Sequence, residues 1–124
     1  MTIEAGVVIG NDGEPIYWHL PQDRSVAYLP DSKDLWDIFW ENRFSLKGFA
    51  HSHPGYGVPS PSWTDITTFA AVEAGLGRRI DWWICSGDSI VLLNWVGPEK
   101  YQYSIMLVTE KFDWIKELRN NSKF

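Results

Sequence analysis

The chain has 124 residues, 44% hydrophobic and 22% charged, a balance that suits one folded domain over residues 1–124 and excludes a disordered segment. A formal net charge of −5 argues against a nucleic-acid binder, and no apolar stretch is long enough to span a membrane. A single cysteine, Cys85, excludes an internal disulfide; with an N-terminus that lacks a basic start and a long apolar run, it predicts a reduced, cytoplasmic setting.

Residues 3–9 (IEAGVVI) read as a strand, Gly10-Asn11-Asp12-Gly13 as a tight turn, and residues 15–20 as the returning strand of a hairpin. Residues 21–30, bounded by Pro21 and Pro30, read as a loop. Asp31 or Ser32 can cap a helix that runs to about Arg43, with Leu35, Ile38 and Phe39 on one face and Asp34, Asp37 and Glu41 on another. Residues 46–50 form a short strand that leads into His51. Residues 54–61 hold three prolines and two glycines and must be a loop. A second helix runs from Ser62 to about Gly75, ended by Gly75 or Gly77. Residues 80–85, 89–96 and 101–108 read as three strands, and residues 110–120 as a last helix. Trp82 and Trp83 are neighbours on one strand and face opposite ways, which leaves room for one of them to be exposed. The order β-β-α-β-α-β-β-β-α implies a mixed α/β (α+β) architecture, a mixed sheet flanked by helices.

The chemistry concentrates in residues 51–65, HSHPGYGVPSPSWTD. His51 and His53 are two apart at a strand end, so both imidazoles face one side. Asp65 sits in the first turn of the next helix, where the helix N-terminus favours a carboxylate. Two imidazoles and a carboxylate leave one position open on a tetrahedral zinc ion, the pattern of a catalytic site. The structural reading is a plain capping box, Ser62-x-x-Asp65, beside a strand that happens to carry two histidines. Two of the three histidines of the chain lie in this tripeptide, which favours metal binding.

HSHP followed by PSWTD resembles the JAMM (MPN+) motif of zinc-dependent peptidases and isopeptidases, many of which act on ubiquitin or ubiquitin-like proteins. The resemblance spans most of residues 3–108 in element order and is close over residues 48–69. It implies an MPN/JAMM-like domain of the cytidine-deaminase-like sandwich type. It also implies Zn2+ held by His51, His53 and Asp65, with Ser62 steadying the developing oxyanion. The substrate it implies is a protein or peptide, ubiquitin-like proteins among them. Asp65 lies one position later than is common in that family. The catalytic glutamate of the family precedes its first glycine in E-x-x-G-x-x-x-G; Gly6 and Gly10 match the glycines, but that glutamate would fall at Ile3. Glu4 is one residue late, so it is expected to serve as general base only if an irregular strand start re-aims it. Glu14 should lie at the far end of the hairpin.

Three functions remain open from the residues. The first is a zinc amide hydrolase with Glu4 as base. The second is an MPN-like metal-binding scaffold with little or no catalysis. The third is an iron oxygenase, whose two-histidine, one-carboxylate triad usually sits in an all-β barrel. His19 reads as a hairpin packing residue or as a partner of Glu4. Cys85 reads as a buried hydrophobe or a fourth metal ligand. Tyr56 and Trp63 flank the loop, either to line a substrate groove or to pack it.

Overall fold

The computed structural model describes residues 2–124. Nine elements follow in the predicted order. β1 (Gly6–Gly10) and β2 (Pro15–His19) form the hairpin, and Gly13 in its turn takes a φ of 84°, which a side chain would strain. α1 (Lys33–Glu41) is capped by Ser32 and not by Asp31; the Ser32 hydroxyl accepts from the Leu35 N–H at 3.0 Å. β3 (Leu46–Ser52) leads through the Gly/Pro loop to α2 (Trp63–Leu76), which ends at Gly77 in the left-handed region. Gly75 stays inside α2, where it leaves room for Trp36; a Cβ there would come within 2.7 Å of the indole. β4 (Asp81–Cys85), β5 (Ile90–Trp95), β6 (Tyr103–Leu107) and α3 (Asp113–Asn121) complete the chain.

The strands form one open sheet in the order β2-β1-β3-β4-β5-β6. Among the described residues only β3 and β4 pair in parallel, because α2 carries the chain back between them. Gly48 permits this pairing, since a side chain there would run into the Asp81 carbonyl. Helices flank both faces. Leu35 and Phe39 of α1 and Phe69 and Leu76 of α2 bury against Val8, Phe49, Trp82 and Leu93. Trp114, Ile115 and Leu118 of α3 bury against Val7, Ile9, Ala50 and Trp83 on the other face. With both faces covered, Trp82 and Trp83 are each only 2% exposed, so neither takes the exposed position that their opposite facing left room for. Trp82 stacks on Phe69, and Trp83 meets Trp114 and Phe112 edge to face.

An open sheet between helices is not the barrel that the iron reading needs. Among the described residues, no helix is long and apolar enough to cross a membrane.

Candidate metal centre

β3 alternates cleanly. Phe49 lies in the core under α1 and α2, and Ala50 in the core under α3. By the same alternation His51 and His53 face the α1/α2 side. His51 is 5% exposed, with its ring against those of Phe49 and Phe69 at centroid distances of 6.4 and 6.2 Å. His53 extends the strand by one more bond, its N–H donating to the Cys85 carbonyl at 2.9 Å. Beyond it the loop turns through Gly55 and Gly57, at φ of 93° and 91°. The β4–β5 turn pins this loop. Asp88 accepts from the Gly57 N–H at 2.7 Å, and the Ser86 hydroxyl donates to the Gly57 carbonyl at 2.6 Å.

The loop delivers the chain to α2 with its capping box formed. Ser62 Oγ accepts from the Asp65 N–H at 3.0 Å, and the Ser62 N–H donates to Asp65 Oδ2 at 2.8 Å. The box fixes the Asp65 carboxylate, which also faces the two imidazoles. His51 Nε2 lies 3.2 Å from Oδ1, and His53 Nε2 lies 3.1 Å from Oδ2. The two Nε2 atoms are 3.1 Å apart. Each imidazole thus meets a different oxygen of Asp65, and these separations are close to the edge of about 3.3 Å of a tetrahedron with metal–ligand bonds of about 2.0 Å. Asp65 therefore closes the capping box and faces the two imidazoles at once. The charges agree. Burial pushes the Asp65 carboxyl up, but the two imidazoles and the Ser62 N–H hold it well below the usual carboxylate range. Burial pulls His53 down, yet its bond to Asp65 leaves its pKa raised.

Glu4 joins the cluster. A carboxylate oxygen of Glu4 and a ring nitrogen each of His51 and His53 all lie within 4.8 Å of one another. The strand start is irregular there, since β1 begins only at Gly6, although no bulge lies at Glu4 itself. Gly6 pairs with His51, and Val8 lies in the core under α1 and α2; counting back by twos from Val8 reaches Gly6 and then Glu4. The register irregularities of β1 fall at Val8/Ile9 and Ile9/Gly10, well past Glu4. The ladder begins only at Gly6, later than the predicted residue 3, because residues 3–5 bond elsewhere. The Ile3 N–H donates to the Ser122 carbonyl, the Glu4 N–H to the Ser25 carbonyl, and the Ala5 N–H to Ser52 Oγ. Arg24 donates to the Glu4 carbonyl at 3.2 Å and to the Asn121 carbonyl at 2.9 Å. Ser122 Oγ donates to Ser52 Oγ at 2.7 Å. Three distant segments thus hold the Glu4 backbone. Burial raises the Glu4 pKa, against the pull of His51 and His53, a shift suited to an acid/base group.

Other expected residues divide. His19 is 2% exposed and packs; its Nε2 meets the Pro30 carbonyl at 2.6 Å, and desolvation lowers its pKa. Cys85 is buried in the core under α3, on the opposite face from His51, so it is no fourth ligand. Glu14 is exposed beside the turn beyond Gly10, whereas His51 pairs at the Gly6 end of β1. Tyr56 packs edge to face on Phe124, and Trp63 on Tyr101. Arg24 and Ser122 lie in no motif, and no role was expected of Ser52, the serine of HSHP; only their tertiary bonds reveal what they do.

The donors open into a cleft of about 420 Å³ between α1, α2 and residues 27–31. Glu4, His51, His53, Ser62 and Asp65 line its polar part, and Leu29, Leu35, Phe49, Phe69 and Trp82 its apolar part. No protein-family model matches the chain, and a search of curated proteins finds no significant match.

Proposed function

We propose that the chain is a metal-binding domain that holds one zinc ion through His51, His53 and Asp65, and that it works as a zinc-dependent amide hydrolase of JAMM type. The observation that carries the metal reading is the convergence of two imidazole nitrogens, 3.1 Å apart, on the Asp65 carboxylate, whose two oxygens lie 3.2 Å from His51 and 3.1 Å from His53, in a partly buried cleft. The resemblance of HSHP and PSWTD to the JAMM motif supports the hydrolase reading, as does Glu4 beside those donors.

Bound zinc would lower the pKa of a coordinated water and polarise a carbonyl. The residues of the chain do the rest. Glu4 takes a proton from the attacking water and gives it to the leaving amine, and its raised pKa suits both transfers. Ser62 keeps its hydroxyl proton to donate, because its oxygen accepts from the Asp65 N–H; it can stabilise a developing oxyanion. The apolar wall of the cleft excludes water and strengthens these charges. The substrate class that fits is a protein or peptide amide, with ubiquitin-like conjugates among the candidates.

One observation favours a second reading, the non-catalytic metal-binding scaffold. Glu4 clusters with the two imidazoles tightly enough to serve as a fourth ligand. A two-histidine, two-carboxylate site is closed and has no place for water.

Glu4→Gln separates the two. As base, Glu4 is dispensable for zinc: the variant keeps one equivalent, holds it with unchanged affinity, and loses hydrolysis of a peptide library that the wild type cleaves. As ligand, its loss weakens zinc binding at least tenfold and changes the visible spectrum of the cobalt-substituted protein. Absence of zinc uptake by the wild type overturns both readings.

A further inference from the structure

The cleft holds more apolar wall than a metal centre requires. His51, itself a donor, lies between the rings of Phe49 and Phe69, and Phe69 stacks on Trp82 at 4.2 Å. The metal donors and this aromatic wall line one continuous space. A volume of about 420 Å³ falls within the range of roughly 300–1,000 Å³ typical of small-ligand sites.

The wall is built and held. A methyl at Gly6 would run into the Phe49 ring and meet Leu29 Cδ2 at 3.2 Å, so the glycine leaves room for both side chains. Leu29 belongs to the loop after β2, which is tied at both ends. The Ser25 N–H donates to the Tyr28 carbonyl at 2.8 Å, and His19 Nε2 meets the Pro30 carbonyl at 2.6 Å. Buried His19, which the hydrolytic reading does not use, thereby anchors the outer wall.

We propose that this chamber is a specificity pocket for a large apolar side chain, aromatic by preference, on the residue that flanks the scissile amide. The inference rests on the zinc reading above and goes beyond it by naming what the substrate carries. Aromatic walls favour an aromatic occupant through edge-to-face and stacked contacts. Leu29, Leu35, Phe49, Phe69 and Trp82 line the apolar end of the pocket, and the acidic groups of the lining are Glu4, Asp31 and Asp65, so an acidic side chain would lose its hydration there and meet carboxylates.

Two hydroxamates test this on the zinc-loaded protein by titration calorimetry. Acetohydroxamic acid reaches the metal alone, and 3-phenylpropionohydroxamic acid adds a phenyl group that can enter the chamber. The expected result is at least tenfold tighter binding of the phenyl compound. Leu29→Trp and, separately, Thr68→Trp, at a residue of α2 that also lines the cleft, should fill the chamber and bring that preference down to about twofold, with acetohydroxamate binding unchanged. Both positions are only partly buried, and circular dichroism verifies the fold of each variant. Equal binding of the two compounds by the wild type overturns the pocket while leaving the metal site intact. So does a preference that survives in both folded variants. Failure of both compounds to bind, together with no zinc uptake, overturns the metal reading and the pocket with it.

Discussion

His53→Ala is the cleanest probe of the metal site. His51→Ala would also strip a buried ring from between Phe49 and Phe69, and the cavity alone would cost about 2–5 kcal/mol. The His53 side chain is 20% exposed and packs less deeply, so its loss in the metal-free protein should cost only about 1 kcal/mol, mainly the bond to Asp65. Zinc that binds only the folded state stabilises it by about 2.7 kcal/mol at a free concentration one hundred times Kd. For a domain of this size 1 kcal/mol moves Tm by roughly 3–5 °C, so the wild type should gain about 10 °C. The variant, with one of three donors gone, should gain less than 3 °C at the same zinc concentration. Thermal melts followed by circular dichroism, with EDTA and with buffered zinc, measure all four states. Equal zinc-induced shifts in wild type and variant would refute the assignment of His53. No shift in either would refute the metal centre.

Zinc affinity should fall with pH, because His53 must lose its proton to bind and Asp65 raises its pKa above 6.5. Competition with a chromophoric chelator should show Kd rising by up to tenfold per pH unit below that raised pKa; a flat profile from pH 5.5 to 8 would count against imidazole ligation. Metal-free stability should change in the opposite sense. A raised folded-state pKa gives a contribution that is full below pH 6.5 and lost as pH climbs through the raised value, a trend that urea melts with EDTA can follow. Ser52→Ala removes the acceptor for the Ala5 N–H and a partner of Ser122, all buried, and should cost about 1–3 kcal/mol in urea unfolding. It should also speed amide exchange at Ala5, and unchanged exchange would show that Ser52 does not hold the Glu4 segment. Outside the candidate metal site, Glu73 is 2% exposed and accepts from Arg79, the Ile80 N–H, the Trp82 indole and the Tyr103 hydroxyl. Glu73→Ala strands these donors and should destabilise the fold by about 3–5 kcal/mol, whereas Tyr103→Phe should cost about 1–2 kcal/mol.

Local rules account for the parts that were legible early. The nine elements follow from period-2 and period-3.6 patterns interrupted by glycine and proline, and each appears within a few residues of its expected place. His51 and His53 share a face because a strand alternates, and Ser62 with Asp65 form a capping box because helix starts need one. These are short-range consequences of covalent geometry and hydrogen-bond supply.

Glu4 shows where that reasoning stopped. Its face follows from the parity of residues 4, 6 and 8 once the pairing of Gly6 is known, which the glycine spacing of the JAMM motif does not supply. The decisive fact is long-range: Gly6 pairs with His51, which brings the start of the chain beside the end of β3. The same holds for Arg24 and Ser122, which stand in unremarkable contexts, and for Ser52 within HSHP, whose bonds form only when the β2–α1 loop and the end of α3 meet residues 3–5.

The amino-acid sequence by itself determined the order of elements, the paired imidazoles and the carboxylate at the helix start, since each depends on neighbours within about a turn or a strand. Only the tertiary structure decided that Glu4 faces those donors, that Cys85 lies on the opposite face from them, and that an aromatic chamber adjoins them. Those outcomes depend on which strands pair, in what register, and which helices cover which face. Contacts between segments tens of residues apart set these choices, and no local pattern carries them.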